Sequence, residues 1–211
     1  MYVPSHFSVS DEQALYRLIR EHPLGILVTQ GRAGLDANHV PFELDTTAGE
    51  RGVLRAHVAR ANPLWKAVQN GEEVLVIFRA EDAYVTPNWY PSKHEFHKQV
   101  PTWNYRIAHA CGRISIREDE AFLRALVGRL TLVHEAAQPA PWRMSDAPED
   151  YIEAMLKAIV GLEIAITRLT GKFKLSQNRE LRDRLSLGEA LKRHGHTALG
   201  QATLDAIGES K

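Results

Sequence analysis

The sequence predicts a mainly β protein, an antiparallel barrel with peripheral helices, built as one domain. Three observations predict it. Strand-like runs, alternating or wholly apolar, dominate residues 24–117. The turns between them are short, whereas parallel strands need crossovers of a dozen or more residues. Helical periodicities fall mostly outside this stretch, which sets helices around the sheet. A chain of 211 residues can bury one sizeable core. The barrel core is assigned to about residues 24–175 and a helical C-terminal extension to about 176–211.

The elements follow in order. Tyr2 to Phe7 is extended. Ser10, with Gln13 three residues on, has the form of a capping box and opens a helix over 11–22. Ala14, Leu15, Leu18 and Ile19 share one face of that helix, and Pro23 closes it. Leu24 to Gln30 reads as a strand and Gly31 to Gly34 as its turn. Asn38 to Leu44 alternates, with Val40, Phe42 and Leu44 on one face, so the two runs form a hairpin. A third strand, Gly52 to Val58, points Leu54, Ala56 and Val58 to the core and turns Val53, Arg55 and His57 away. Asn62-Pro63 opens a short helix over 64–69.

Val74 to Phe78 is an apolar run suited to a strand buried on both faces. A separate short strand, Ala83 to Thr86, stops at Pro87. Two aromatic clusters, Trp89-Tyr90 and Trp103-Asn104-Tyr105, then flank a polar loop rich in His and Lys. Ile107 to Arg117 is a strand, with Gly112 marking a bulge or a close approach. Glu118 to Glu135 has helical spacing through Phe122, Leu123, Leu126, Leu130 and Val133. A loop spans 139–148 and a helix 151–160. Leu162 to Leu169 is compatible with helix or, through Ile164, Ile166 and Thr167, with strand. Ser176 is placed to cap a last helical region, 179–194 and 197–207, divided by Gly195.

Composition narrows the function classes. Lys+Arg and Asp+Glu both number 26, and the zero net charge argues against a surface built broadly for nucleic acid or anionic membrane. The most basic stretch, 179–193, interleaves Glu180, Asp183 and Glu189 with its arginines and lysines, so any DNA binding is expected to be weak. The single cysteine, Cys111, forbids an intrachain disulfide. No apolar run approaches the ~18 residues of a membrane span, and no basic-then-apolar leader opens the chain. A soluble, cytoplasmic protein is expected. Glycine-rich dinucleotide and phosphate-loop motifs are missing. His94 and His97, or His109 and Cys111, supply too few ligands at too loose a spacing for zinc, so no metal site is assigned.

His57, Arg60 and Asn62 are the best ligand candidates. A guanidinium fork, an amide and turning backbone N–H groups after a strand suit a phosphate. Asn62 also suits a helix cap. Asn38, His39 and Val40 lie on a neighbouring strand. Thr86, Trp89, Thr102 and Trp103 can wall a planar ligand or pack a core. Lys172, Lys174, Ser176 and Gln177 make a polar, basic end to the last strand. No catalytic residue is assigned.

Five blocks carry a resemblance. They are Met1-Tyr2-Val3-Pro4-Ser5-His6-Phe7, His57-Val58-Ala59-Arg60-Ala61-Asn62-Pro63 and Ala83-Tyr84-Val85-Thr86-Pro87-Asn88-Trp89-Tyr90, then Val100-Pro101-Thr102-Trp103-Asn104-Tyr105 and Lys174-Leu175-Ser176-Gln177-Asn178-Arg179. In this order they resemble the PaiB family, FMN-binding negative transcriptional regulators within the FMN-binding split-barrel group. The resemblance implies a split barrel, a strand at 162–169, and a homodimer holding FMN noncovalently near the subunit interface. It implies the FMN phosphate at Arg60 and Asn62 beside His57, and the isoalloxazine edge beside Asn38, His39 and Val40. Thr86 and Trp103 would wall the ring, and Lys174 and Gln177 would contact cofactor or partner subunit. The leading function is a PaiB-like regulator of gene expression. The alternative is a flavin-dependent oxidoreductase acting on a small molecule the sequence does not name. A barrel that has lost flavin and serves as a dimeric interaction module is the third reading.

Overall fold

Apolar alternation in the middle of the chain does produce the sheet. A computed structural model describes residues 1–31 and 34–208. Arg32 and Ala33, in the turn expected between the first hairpin strands, lie outside the described residues. The strands are β1 (Ser8–Val9), β2 (Leu24–Gly31), β3 (Gly34–Pro41), β4 (Glu43–Asp45), β5 (Val53–Ala59), β6 (Glu73–Val85), β7 (Thr102–Arg117) and β8 (Ile159–Lys174). They form one sheet in the order β3-β2-β6-β7-β8-β5-β4, with β1 added against β8. Every pairing of defined register is antiparallel. The helices are α1 (Glu12–Glu21), α2 (Leu64–Ala67), α3 (Pro91–Phe96), α4 (Glu120–Glu135), α5 (Glu149–Lys157), α6 (Leu181–Arg193) and α7 (Thr197–Gly208).

Several elements differ from expectation, each for a visible reason. Asp11 rather than Ser10 caps α1, its carboxylate accepting the Gln13 N–H at 2.9 Å. The two expected strands 74–78 and 83–86 are one, β6. The charged residues between them are accommodated on the strand: Arg79 pairs with Asp82, Glu81 accepts from Arg106 at 2.7 Å, and Ala80 is buried. Ile159 to Lys174 is strand throughout, which settles the open segment 162–169. Ser176 caps no helix, because its hydroxyl is held by Tyr90 and Asn104.

The chain divides into two compact units, and β6, β7 and β8 each contribute residues to both. Unit 1 comprises residues 1–18, 79–108 and 170–211; unit 2 comprises 19–78 and 109–169. In unit 2, β5 runs in register with β8 from Val53 opposite Ala165 to Ala59 opposite Ile159. Leu54, Ala56, Leu162 and Ile164 on this pair are fully buried, each large side chain contributing about 1.5–3 kcal/mol. Gly112 is a close approach, as the sequence suggested. A Cβ there would lie 2.5 Å from the Ala165 carbonyl oxygen, so β7 and β8 come nearer than any side chain allows. A second unit 2 cluster packs Leu123 of α4 against Ile152 and Leu156 of α5. In unit 1, Ala83, Val85, Tyr90 and Leu175 pack against Leu187, Leu191 and Leu199 of the α6–α7 hairpin.

Candidate functional site

The candidate residues of unit 2 cluster around the end of β5. Asn62 lies two residues before α2 and uses both ends of its amide. Its oxygen accepts the Leu64 N–H at 2.9 Å, and its nitrogen donates to the Asn38 side-chain oxygen of β3 at 3.1 Å. Asn62 therefore caps α2 and ties β3 to this turn. Asn38 in turn donates to Asp36. Of its neighbours on β3, His39 is exposed and Val40 is buried in the core.

Arg60 is more heavily engaged. Its guanidinium donates to the Lys157 carbonyl at 2.7 Å, to Glu118 at 2.6 Å and to the Ile159 carbonyl at 3.1 Å. The indole of Trp65 lies 5.7 Å from its centre, and the Trp65 N–H donates to the Arg60 carbonyl. Arg60 borders a cleft of about 230 Å³ shared with Glu118, Glu120, Leu123, Leu156 and Lys157. That is below the ~300 Å³ at which small-molecule pockets usually begin, and its two glutamates oppose an anion.

His57 carries the orphan of the group. It sits on β5 opposite Gly161, partly buried, and its Nδ1 has no hydrogen-bond partner among the described residues. Burial holds its pKa below the usual imidazole value, so the ring is neutral at physiological pH. A buried, unpaired ring nitrogen is a group that a ligand's polar edge would satisfy.

The other candidates belong to unit 1. Thr86 caps the short turn Pro87–Trp89, accepting the Asn88 N–H. Gln177 closes on its own backbone, accepting from Leu175 N–H at 2.8 Å and donating to the Phe173 carbonyl at 2.6 Å. Trp103 is half exposed and meets Tyr84 edge to face, with ring centroids 6.0 Å apart. Lys174 donates to the Thr102 hydroxyl and to the Trp103 carbonyl, which are neutral acceptors. Its pKa is lowered by burial and then by the like charges of Lys172 and Arg179. Among the described residues no carboxylate pairs with Lys172, Lys174 or Arg179.

Two buried networks in unit 1 escaped the sequence. Tyr90 and Asn104 each bond to the Ser176 hydroxyl at 3.1 Å, all three side chains buried, with Ser176 in the left-handed region at φ 63°. Asp183 of α6 accepts from the Ser92 hydroxyl at 2.6 Å and the Ser92 N–H at 3.0 Å. The partners are 72 to 91 residues apart, and nothing local signals them.

Comparison with known proteins decides the family. The family described as "Putative FMN-binding domain" matches residues 1–168. The chain belongs to this family. A protein of Emericella nidulans is 37% identical over 219 residues, covering 87% of each chain. The protease synthase and sporulation protein PAI 2 of Bacillus subtilis is 29% identical over 90% of this chain and 89% of its own. The PaiB resemblance read from the five blocks is thereby borne out. Among solved structures, the Azotobacter vinelandii flavocytochrome Anf3 superposes with a TM-score of 0.54 at 16% identity, covering 82% of this chain and 72% of that one. The conserved protein Rv2991 of Mycobacterium tuberculosis does so at 0.55 and 13%, covering 84% and 92%. These likenesses share the fold, the antiparallel split barrel. As a member of the FMN-binding domain family, the chain is an FMN-binding split-barrel protein. Within unit 1, Lys174 suits the phosphate of that cofactor, an ammonium whose hydrogen bonds go to neutral groups.

Proposed function

We propose that this protein is a homodimeric, cytoplasmic, FMN-responsive regulator of gene expression, acting through the state of its flavin or through a partner rather than by gripping DNA strongly on its own. The regulatory half draws on the Bacillus subtilis relative, which is named for protease synthesis and sporulation. The observation that carries the reading is the condition of the cations on α6, the most basic part of the sequence. Arg182 is bound by Glu95 through two hydrogen bonds and also by Glu180. Arg184 is buried and donates to the Ala206 carbonyl. Lys192 faces Glu189 at 3.6 Å. With Arg182 and Lys192 already paired and Arg184 buried, few cations of α6 can release counterions on meeting phosphates, so little affinity for DNA follows.

The test uses one purified preparation loaded with FMN. Binding to duplex DNA is expected to be weak and to vanish at physiological salt, with sedimentation giving a dimer. Nanomolar, sequence-selective DNA binding at physiological salt would replace this reading with direct repression. Saturable oxidation of NADH or NADPH through the bound flavin, with no DNA binding even at low salt, would move the protein to the oxidoreductase class.

A further inference from the structure

Alternation along three neighbouring strands of unit 1 puts an unusual set of side chains on one outward face. On β7, Trp103 and Tyr105 flank the fully buried Asn104, so both point outward. On β8, Lys172 and Lys174 are likewise two apart. On β6, Tyr84 is half exposed between the buried Ala83 and Val85. The contacts confirm the common face. Tyr84 meets Trp103, Lys172 sits 5.5 Å from the Tyr105 ring centroid, and Lys174 donates to the Trp103 carbonyl.

We infer that this face, with Tyr84, Trp103 and Tyr105 against the ring and Lys172 and Lys174 toward the phosphate, is where the chain holds FMN. The inference rests on the FMN-binding reading above and gives it a location.

Charge complementarity selects the occupant. Lys172 and Arg179 add to burial in lowering the basicity of Lys174, and neither Lys172 nor Lys174 has a carboxylate partner among the described residues. A phosphate of nearly two negative charges relieves their mutual repulsion. Lys174 has spent two of its three donors on Thr102 and Trp103, which fixes the ammonium and leaves one N–H to give. Exposed aromatic rings beside such cations suit the planar half of the same molecule. At Arg60, by contrast, a phosphate would have to displace Glu118 and two backbone carbonyls.

The experiment compares FMN with riboflavin, which has the ring and lacks the phosphate, by fluorescence titration of the full chain. Wild type is expected to prefer FMN. Lys172→Met combined with Lys174→Met is expected to weaken FMN binding by about ten- to a hundredfold, the range for lost charge-assisted bonds. Riboflavin affinity should stay within about threefold of wild type, since the ring contacts remain. Trp103→Ala is expected to weaken both flavins. If the double variant fails to fold, Lys172→Met alone carries the test, because among the described residues that ammonium meets the Tyr2 carbonyl and the rings of Tyr2 and Tyr105 and no carboxylate. A preference for FMN unchanged in the lysine variants but lost in Arg60→Met would overturn the inference and leave the FMN reading standing. So would a Trp103→Ala chain that turns monomeric with flavin affinity intact, which assigns the face to a second copy. Wild type that binds neither flavin overturns the FMN reading and this inference with it.

Discussion

Arg55→Met is the sharpest test of how unit 2 is held together. Arg55 lies on the same face of β5 as His57, and its guanidinium joins Asp45 of β4 at 2.8 Å to Glu163 of β8 at 2.9 Å. Glu163 also accepts from Arg117 of β7 at 2.9 Å. The side chains of Arg55, Asp45 and Glu163 are 18%, 27% and 24% exposed, between surface and interior. Exposed pairs contribute about 0–1 kcal/mol and breaking a buried one costs about 3–5. Neither carboxylate is stranded by the substitution, because Asp45 keeps Thr47 and Glu163 keeps Arg117. The cost is therefore set at about 2 kcal/mol, or a urea midpoint lowered by about 1 M at an m-value near 2 kcal/mol/M. The pH dependence follows from Asp45. The Thr47 hydroxyl first, then Arg55 and the Thr47 N–H, hold its pKa well below the usual carboxylate value. Its folded-state pKa is depressed, so its stabilisation is complete above about pH 4 and is lost as the pH falls further. The gap between wild type and variant should accordingly narrow from pH ~4 toward pH ~2. Urea melts followed by circular dichroism across this range check both parts. A midpoint shift below about 0.25 M at neutral pH, or a gap that holds constant into acid, would refute the reasoning.

Three further outcomes are expected. His57 is held neutral by burial, so the unfolded chain takes up more protons below pH ~6.5 and stability falls as pH drops from there. His57→Phe should flatten that slope in urea melts between pH ~5 and ~7.5, and an unchanged slope would point to another group. Gly112→Ala drives a methyl to 2.5 Å from the Ala165 oxygen and 2.6 Å from Ile164, which should lower the melting temperature by roughly 3–10 °C. Calorimetry showing no change would mean that β7 and β8 separate without cost. Tyr90→Phe removes the 3.1 Å bond to Ser176 inside unit 1 and should destabilise by about 1–1.5 kcal/mol, measured as a midpoint shift in denaturant.

The sequence by itself determined the elements whose signal is local. Apolar periodicity placed β2, β5, α1 and α4 within a residue or two, because the periods of 2 and 3.6 report which face is buried. The close approach at Gly112 was legible because a glycine inside a strand is costly without such a reason. The five blocks carried the family, and with it the barrel and the cofactor. Side-chain partnership was not legible. Arg60 has the donors a phosphate wants, yet they meet Glu118 and the Lys157 carbonyl, 58 and 97 residues on. The break expected near residues 79–82 did not occur, because Arg106 arrives on β7 to pair with Glu81. Among the described residues Lys172 and Lys174 of β8 have no carboxylate partner, although acids are as numerous as bases in the chain. Sequence fixes which charges exist and, through alternation, which way most of them point. Only the pairing of distant strands decides which are neutralised, because a salt bridge acts over a few ångströms and so depends on register rather than on composition.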